Sequence, residues 1–195
     1  HIALYALTLE EGTSLTRQVE AGTLPKPDPD LVADMYECSE ERLKMTGYEH
    51  YEVSNWCKPG QESRHNLIYW QNREYVGVGA GAWSYWERVR KGNIKDVAKY
   101  ISHSLKGQDL TEEREEVSRE QEMSDTLILG LRLTRGVSHV EFRRRFDVEL
   151  TAVYGGELQV LASQGLLEVD ETGIRLTDRG RLLGNEVFER FLIDS

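Results

Sequence analysis

The residues best suited to chemistry lie in one short stretch that combines a histidine, an amide and two aromatic rings. His65 and Asn66 are followed by Tyr69 and Trp70. An imidazole can coordinate a haem iron axially, and flat aromatic rings can pack on a porphyrin. The same histidine can act as a general acid or base. A third interpretation is structural: His65 and Asn66 brace a loop, and the two aromatics fill a core.

A glycine-rich segment follows, in which Gly77, Gly79 and Gly81 alternate with small or β-branched residues. It resembles a phosphate-binding loop only superficially, because no helix follows it at a suitable spacing. Small residues let another backbone or a ligand approach closely. We therefore predict a closely packed strand, and leave open that the segment admits a ligand at a sheet edge.

The two cysteines, Cys38 and Cys57, have no cysteine or histidine neighbour at the spacing of metal ligands. We expect Cys38 to be buried in a helix and Cys57 to be exposed in a loop. The remaining histidines are interpreted as surface or packing residues: His1, His50, His103 and His139.

The composition limits the classes of function. The chain has 195 residues, of which 39% are hydrophobic and 30% charged, as in a soluble globular protein. Its net charge of −10 argues against broad nucleic-acid binding, which depends on neutralising phosphates. No apolar run reaches the ~18–20 residues that a membrane span needs, and the start shows no signal-peptide pattern. Two cysteines alone are typical of a reducing cytoplasm.

The elements that position these residues begin with an apolar run from Ile2 to Leu7, which predicts a strand buried on both faces of a parallel sheet. Asp28 and Pro29 are a favourable start for a helix that ends at Gly47. The alternation from Tyr48 to Trp56 predicts a second strand. We expect a right-handed parallel crossover between the two strands, in a sheet whose earlier strands lie outside this sequence.

A charge-rich stretch after Leu110 predicts a boundary between domains of residues 1–110 and 111–195. The first domain is also predicted to contain a loop over residues 10–26 and a helix from Asn93 to about Leu105. Capping boxes and apolar spacing predict four helices and a hairpin in the second domain. Their predicted ranges are 118–131, 138–145, 149–164 and 178–192, with the hairpin over 165–177.

Helices followed by a small hairpin are typical of a winged-helix module, in which the helix before the hairpin can read DNA. Here that helix carries Glu149 and Glu157 and no lysine or arginine. The basic run from Arg143 to Arg145 is explained by a solvated helix end. We expect no nucleic-acid partner and favour a lid or protein-docking role.

Segments throughout the chain closely resemble HemW-like radical SAM haem chaperones, a family related to oxygen-independent coproporphyrinogen III oxidases. In the first half they are residues 1–10, 47–56, 64–70 (Arg-His-Asn-Leu-Ile-Tyr-Trp) and 79–82. In the second half they are residues 129–133, 165–167, 176–177 and 179–188. The segments occur in the family's order from one end of the chain to the other.

The resemblance implies an α/β fold with an α-rich C-terminal domain. The first strand would be the sixth of an incomplete radical SAM (βα)₆ barrel, and a winged-helix-like cap would cover the barrel mouth. Family members hold a [4Fe–4S] cluster and S-adenosylmethionine, and the cluster ligands come from an N-terminal C-x-x-x-C-x-x-C motif. This sequence lacks that motif, so a missing N-terminal half of the barrel is an expected partner.

The resemblance assigns His65 as the candidate haem-iron ligand, with Asn66, Tyr69 and Trp70 as its motif partners. It implies a fragment of a cytoplasmic chaperone that binds haem and delivers it to respiratory acceptor proteins. The first alternative is part of an oxygen-independent coproporphyrinogen III oxidase, which decarboxylates a porphyrinogen by radical chemistry. The second is a winged-helix interaction module.

The resemblance also places residues from two segments at the edge of the S-adenosylmethionine pocket: Ala6 and Thr8 in the first strand, and Ala82 and Trp83 after the glycines. Two positions depart from the family. Ser63 stands where the family often has cysteine, and Trp83 where it usually has histidine.

Overall fold

The structure, a computed structural model, describes residues 1–193 of the chain. The chain forms two compact units, which divide between Glu62 and Ser63 and are described separately below as the first and second unit. No helix among the described residues is both long and apolar enough to cross a membrane.

The first unit holds a three-stranded sheet and two helices. Their bounds are β1 Ile2–Ala3, α1 Ser14–Glu20, α2 Pro29–Met45, β2 Glu49–Glu52 and β3 Asn55–Cys57. β3 is the central strand and is antiparallel to both β1 and β2. α2 begins as predicted, because the Asp28 carboxylate accepts hydrogen bonds from the backbone amides of its first turn. It ends just before Gly47, whose φ of +75° closes the turn.

The predicted parallel crossover is wrong, because β1 pairs with β3 in the antiparallel direction. Residues 48–56 also form an antiparallel hairpin and not one strand. The fully buried Glu52 carboxylate accepts a hydrogen bond from the Ser54 backbone amide at 3.3 Å. It also accepts one from the side-chain amide of Asn55. These bonds hold the turn between β2 and β3, which alternation of residue types does not reveal.

Two further predictions for the first unit are wrong. The opening strand spans only β1, and Leu4, Tyr5 and Leu7 beyond it are exposed and not buried on both faces. The predicted loop over residues 10–26 contains α1, where the Thr13 hydroxyl accepts a hydrogen bond from the backbone amide of Thr16. A threonine N-cap is a favourable helix start that the sequence analysis did not use.

Trp56 is the best-buried aromatic side chain of the first unit and is only 1% exposed. The His50 ring stacks on it with a centroid distance of 4.3 Å, and Tyr36 packs at 5.8 Å. His50 Nδ1 lies 3.3 Å from a Glu40 carboxylate oxygen. His1 bonds to the Tyr51 hydroxyl at 2.8 Å. Both histidines therefore have the packing roles that we expected.

The cysteine predictions are reversed in the structure: Cys38 is exposed and Cys57 is buried. Cys38 lies on α2 about 200° around the helix from Tyr36, so it faces away from the packed side. Cys57 ends β3 beside Trp56. Burial raises the pKa of the Cys57 thiol, and the negative charge of Glu62 raises it further.

We expect an aromatic disulfide reagent to titrate one thiol in the native chain at neutral pH and both thiols in urea. The buried Cys57 thiol holds its proton and is shielded, whereas Cys38 is accessible. Cys38→Ser should leave no thiol that reacts in the native chain. Rapid native labelling of that variant would show that β3 is not protected.

The second unit begins with α3 and an antiparallel sheet of three strands in the order β4-β5-β6. The bounds are α3 Arg64–Trp70, β4 Trp83–Trp86, β5 Val89–Asn93, α4 Val97–Leu105 and β6 Thr111–Glu116. Asp96, and not the predicted Asn93, caps α4, and Asn93 ends β5. The predicted boundary after Leu110 falls inside this unit, because β6 pairs with β5 along its length.

The rest of the second unit surrounds one apolar core. Its elements are α5 Arg119–Gly130, β7 Val137–Ser138, α6 His139–Phe146, α7 Leu150–Ser163, β8 Leu167–Val169, β9 Gly173–Leu176, α8 Asp178–Leu182 and α9 Gly184–Glu189. β9 lies between β7 and β8 and is antiparallel to both. The core is built from Leu127, Leu131, Phe142, Leu150, Leu161, Ile174, Val187 and Phe191.

Most elements of this region agree with the sequence analysis. The hydroxyls of Ser118 and Ser138 accept hydrogen bonds from the amides of Gln121 and Glu141, so both predicted helix starts are confirmed. The predicted hairpin is present as β8 and β9. The last predicted helix is interrupted at Leu183, which separates α8 from α9.

Candidate functional site

The histidine–aromatic motif lies on α3, a helix of seven residues. The Ser63 hydroxyl accepts a hydrogen bond from the Asn66 backbone amide at 3.3 Å and caps the helix. Serine is among the best N-cap residues. The departure from the family at position 63 therefore has a local structural role in this chain.

The helix divides the motif between two faces. At 100° per residue, His65 and Tyr69 lie within about 40° of each other, whereas Trp70 lies about 140° from His65. The His65 side chain is exposed, and its Nε2 is 3.3 Å from the Tyr69 hydroxyl. Their rings meet edge to face at 4.9 Å, and Tyr69 packs on Tyr75 at 4.7 Å. An exposed imidazole with one long hydrogen bond is accessible to an incoming metal.

Asn66 and Trp70 share the other face of α3, and both are half-buried. The guanidinium of Arg132 lies over the Trp70 ring, 4.6 Å from its centroid. The buried indole N–H of Trp70 has no hydrogen-bond partner among residues 1–193. The core-filling interpretation therefore suits Trp70, whereas His65 is exposed and Tyr69 is half-buried between His65 and Tyr75.

The end of α3 is fastened to the C-terminal region by Asn72 and Arg145. The Asn72 side-chain amide donates to the Thr126 hydroxyl at 3.1 Å and to the Glu122 carbonyl at 3.4 Å. Arg145 donates to the carbonyls of Gln71 and Asn72 at 3.2 and 2.7 Å, and to the Glu122 carboxylate at 2.6 Å. The position of the motif helix therefore depends on α5 and α6.

Beside Trp70 the second unit has a cavity of about 310 Å³ between the end of α3, α5, β7 and α6. Four arginines line it: Arg73, Arg135, Arg144 and Arg145. Glu141 is the one acidic residue among the residues that line it. The sequence analysis missed this site, although the run of three arginines on α6 was a visible signal.

The amides of the three glycines in the glycine-rich segment are bonded within the protein. The amides of Gly77, Gly79 and Gly81 donate to the Ser84 hydroxyl, the Tyr100 hydroxyl and the Ile94 carbonyl. A β-carbon at Gly77 would lie 2.1 Å from the Trp83 carbonyl oxygen, so close packing explains that glycine. The segment is a loop joined to β4 by a bridge between Tyr75 and Tyr85, and not the predicted continuous strand.

The residues predicted at the S-adenosylmethionine pocket belong to different units. Ala6 and Thr8 are exposed in the first unit, after β1. Ala82 and Trp83 lie in the second unit, where Trp83 pairs with Gly92 and its ring covers that glycine. Packing on Gly92 accounts for a tryptophan at this position, and a contact with S-adenosylmethionine stays a prediction.

The described residues do not fit an iron–sulfur cluster. Such a cluster is usually held by four cysteine thiolates, and this chain has two cysteines. Residues 1–193 contain no group of three or more His, Cys, Asp or Glu side chains placed to hold a metal ion. A single axial histidine is enough to attach haem iron, so His65 remains suited to that role.

Comparison with known proteins connects this arrangement to a family. Residues 117–183 match the HemN C-terminal domain. The chain is 40% identical to heme chaperone HemW of Lactococcus lactis, with all of this chain and 51% of the relative covered. It is 37% identical to mouse radical S-adenosyl methionine domain-containing protein 1, mitochondrial, with 92% of this chain and 43% of the relative covered. The chain thus spans about half the length of the curated relatives that it matches.

The fold has a counterpart among solved structures. Coproporphyrinogen III oxidase (HemN) from Escherichia coli, described as a radical SAM enzyme, aligns with a TM-score of 0.65 over 85% of this chain and 42% of that chain. The sequence identity is 19%, so this likeness shows the fold alone. Together with the relatives and the matched domain, it confirms the resemblance that the sequence motifs indicated. The chain is HemW-like along its whole length, and it resembles the part of those relatives that carries the HemN C-terminal domain.

Proposed function

We propose that this chain binds haem through His65 and contributes to passing haem to acceptor proteins. The observation that carries the proposal is the exposed His65 imidazole, which shares one face of α3 with the Tyr69 ring. Relatives of the chain are named heme chaperones, which supports haem as the cargo. The imidazole would coordinate the iron, and Tyr69 would contact the porphyrin edge.

The proposal also includes the parts of the family's architecture that this chain does not hold. A radical SAM barrel with its cluster and S-adenosylmethionine would come from the rest of the parent protein. Residues 111–195 would act as a winged-helix-like cap, which the order of three helices followed by a hairpin supports. Glu157 in α7 and Glu149 at its N-cap do not favour a nucleic-acid partner for this region.

Haem titration of the purified chain should give a red-shifted Soret band that is lost or weakened in His65→Ala. We expect the affinity for haem to fall about tenfold or more, because losing about 1.4 kcal/mol of iron–imidazole binding free energy lowers an affinity tenfold. Tyr69→Phe should keep the band, because it removes only the long hydrogen bond to Nε2 and retains the ring.

His103→Ala is the matched control. His103 is also in the second unit and is tied to a backbone carbonyl, that of Asp109, at 3.0 Å. Equal Soret bands for His65→Ala and the unchanged chain would refute ligation by His65. Conversion of coproporphyrinogen III by the full-length parent would instead favour the oxidase alternative.

A further inference from the structure

The cavity beside Trp70 has an excess of unpaired positive charge. Arg145 on its wall is paired with the Glu122 carboxylate. Among residues 1–193, the guanidinium groups of Arg73, Arg135 and Arg144 have neither a hydrogen-bond nor an ion-pair partner. Glu141 is the one acid that faces them. Three free cations and one free anion leave two positive charges to be neutralised.

The position of arginines at the end of α6 explains only part of this excess. The helix dipole favours positive side chains in the last turn, and this accounts for the run of arginines on α6. In that run Arg143 pairs with Glu149 at 3.0 Å and does not line the cavity. Arg73 follows α3, and Arg135 lies in the turn between α5 and β7. Three separate segments therefore direct unpaired arginines to one cavity in a chain whose net charge is −10.

The apolar and aromatic walls come from Trp70, Leu133, Val137 and Phe142, and Gln71 and Thr126 add polar side chains. The buried indole N–H of Trp70 has no partner within residues 1–193. A volume of about 310 Å³ is at the lower end of the range of small-molecule sites. Apolar walls with a few convergent charged groups are the usual composition of such a site.

We propose that this cavity binds a ligand through a pair of carboxylates. Guanidinium groups on separate walls match two separate carboxylates, each of which a planar guanidinium can bind with two hydrogen bonds. The propionate pair of a porphyrin is one source of this chemistry, and that source rests on the function proposed above. A small free dicarboxylate is the other source.

The test measures binding to the purified chain of four probes: metal-free mesoporphyrin IX, its dimethyl ester, glutarate and inorganic phosphate. Porphyrin fluorescence reports the first two probes, and calorimetry reports the others. Mesoporphyrin without iron removes coordination by His65 from the measurement. The variant is Arg135→Gln combined with Arg144→Gln, and Arg143→Gln is its control on the same helix.

We expect the double variant to bind mesoporphyrin about 100-fold more weakly, roughly tenfold for each guanidinium lost. Arg143→Gln should bind mesoporphyrin as tightly as the unchanged chain does. The affinity for the dimethyl ester should not differ between the double variant and the unchanged chain. Because Arg135 and Arg144 are exposed, the double variant should unfold at the same urea concentration as the unchanged chain.

If the double variant loses affinity for glutarate but not for mesoporphyrin, the site is supported and its ligand is a free dicarboxylate. This result does not depend on whether His65 ligates haem, so each proposal can be refuted without the other. Arginine-dependent binding of phosphate alone would overturn the assignment to paired carboxylates. Unchanged affinities for every probe in the double variant would overturn the site itself.

Discussion

Gly136→Ala should remove a large part of the folding stability of the C-terminal region. Gly136 is buried at the start of β7 with a φ of +68°, which an alanine adopts at a cost of about 1–2 kcal/mol. Its β-carbon would also lie 1.8 Å from the Ile174 carbonyl oxygen and 2.8 Å from Arg175 Cα. Both contacts are to the backbone of β9, so β7 must leave the sheet to relieve them.

The total cost should reach about 4 kcal/mol or more, out of the 5–15 kcal/mol typical of a domain. Urea unfolding followed by circular dichroism measures it. Gly165→Ala is the matched control, because Gly165 has the same φ of +68° and nothing lies within 4 Å of its would-be β-carbon. Similar destabilisation by the two substitutions would show that the approach of β7 to β9 is looser than described.

The two glycines differ in a tertiary contact, which the sequence does not reveal. Both glycines are visible as turn formers, and Gly165 was placed correctly at the start of the hairpin. The tight approach at Gly136 arises only when β7 pairs with β9, across almost 40 residues of sequence. Helix starts at Ser118 and Ser138 were predictable because each capping bond spans three residues.

Errors in the first unit have similar causes. The hairpin over residues 48–56 was mistaken for one strand because the turn is held by a buried carboxylate, that of Glu52, and contains no glycine or proline. The exposure of Cys38 was available from the sequence, since its helical angle places it nearly opposite Tyr36. In the second unit, the charge-rich stretch after Leu110 forms β6, an exposed edge strand.

The candidate site was only partly predictable. The motif residues His65, Asn66, Tyr69 and Trp70 were identified from their types, but their division between two faces required knowing that Ser63 starts a helix. The arginine cavity depends on tertiary packing, because its charged residues come from three segments as far apart as Arg73 and Arg144. A sequence shows each arginine but not which of them lack acidic partners.

Arg145→Ala should destabilise the second unit by about 2–4 kcal/mol. Removing one member of a poorly exposed ion pair leaves the other charge unpaired, which typically costs 3–5 kcal/mol when the pair is fully buried. Here the exposed fractions are 29% for the Arg145 side chain and 14% for that of Glu122, so a somewhat smaller cost is expected. The carbonyls of Gln71 and Asn72 also lose their donor.

Arg143→Ala is the control two positions away on α6. Its ion pair with Glu149 is exposed on both sides, so we expect a change within about 1 kcal/mol. A double-mutant cycle of Arg145→Ala with Glu122→Ala should show a coupling above about 1 kcal/mol in urea unfolding.

Hydrogen exchange should also accelerate at α3 in Arg145→Ala, because Arg145 fastens the two residues that follow this helix. If exchange at α3 is unchanged, Arg145 stabilises only α5 and α6, and it does not hold the helix that carries His65 in place.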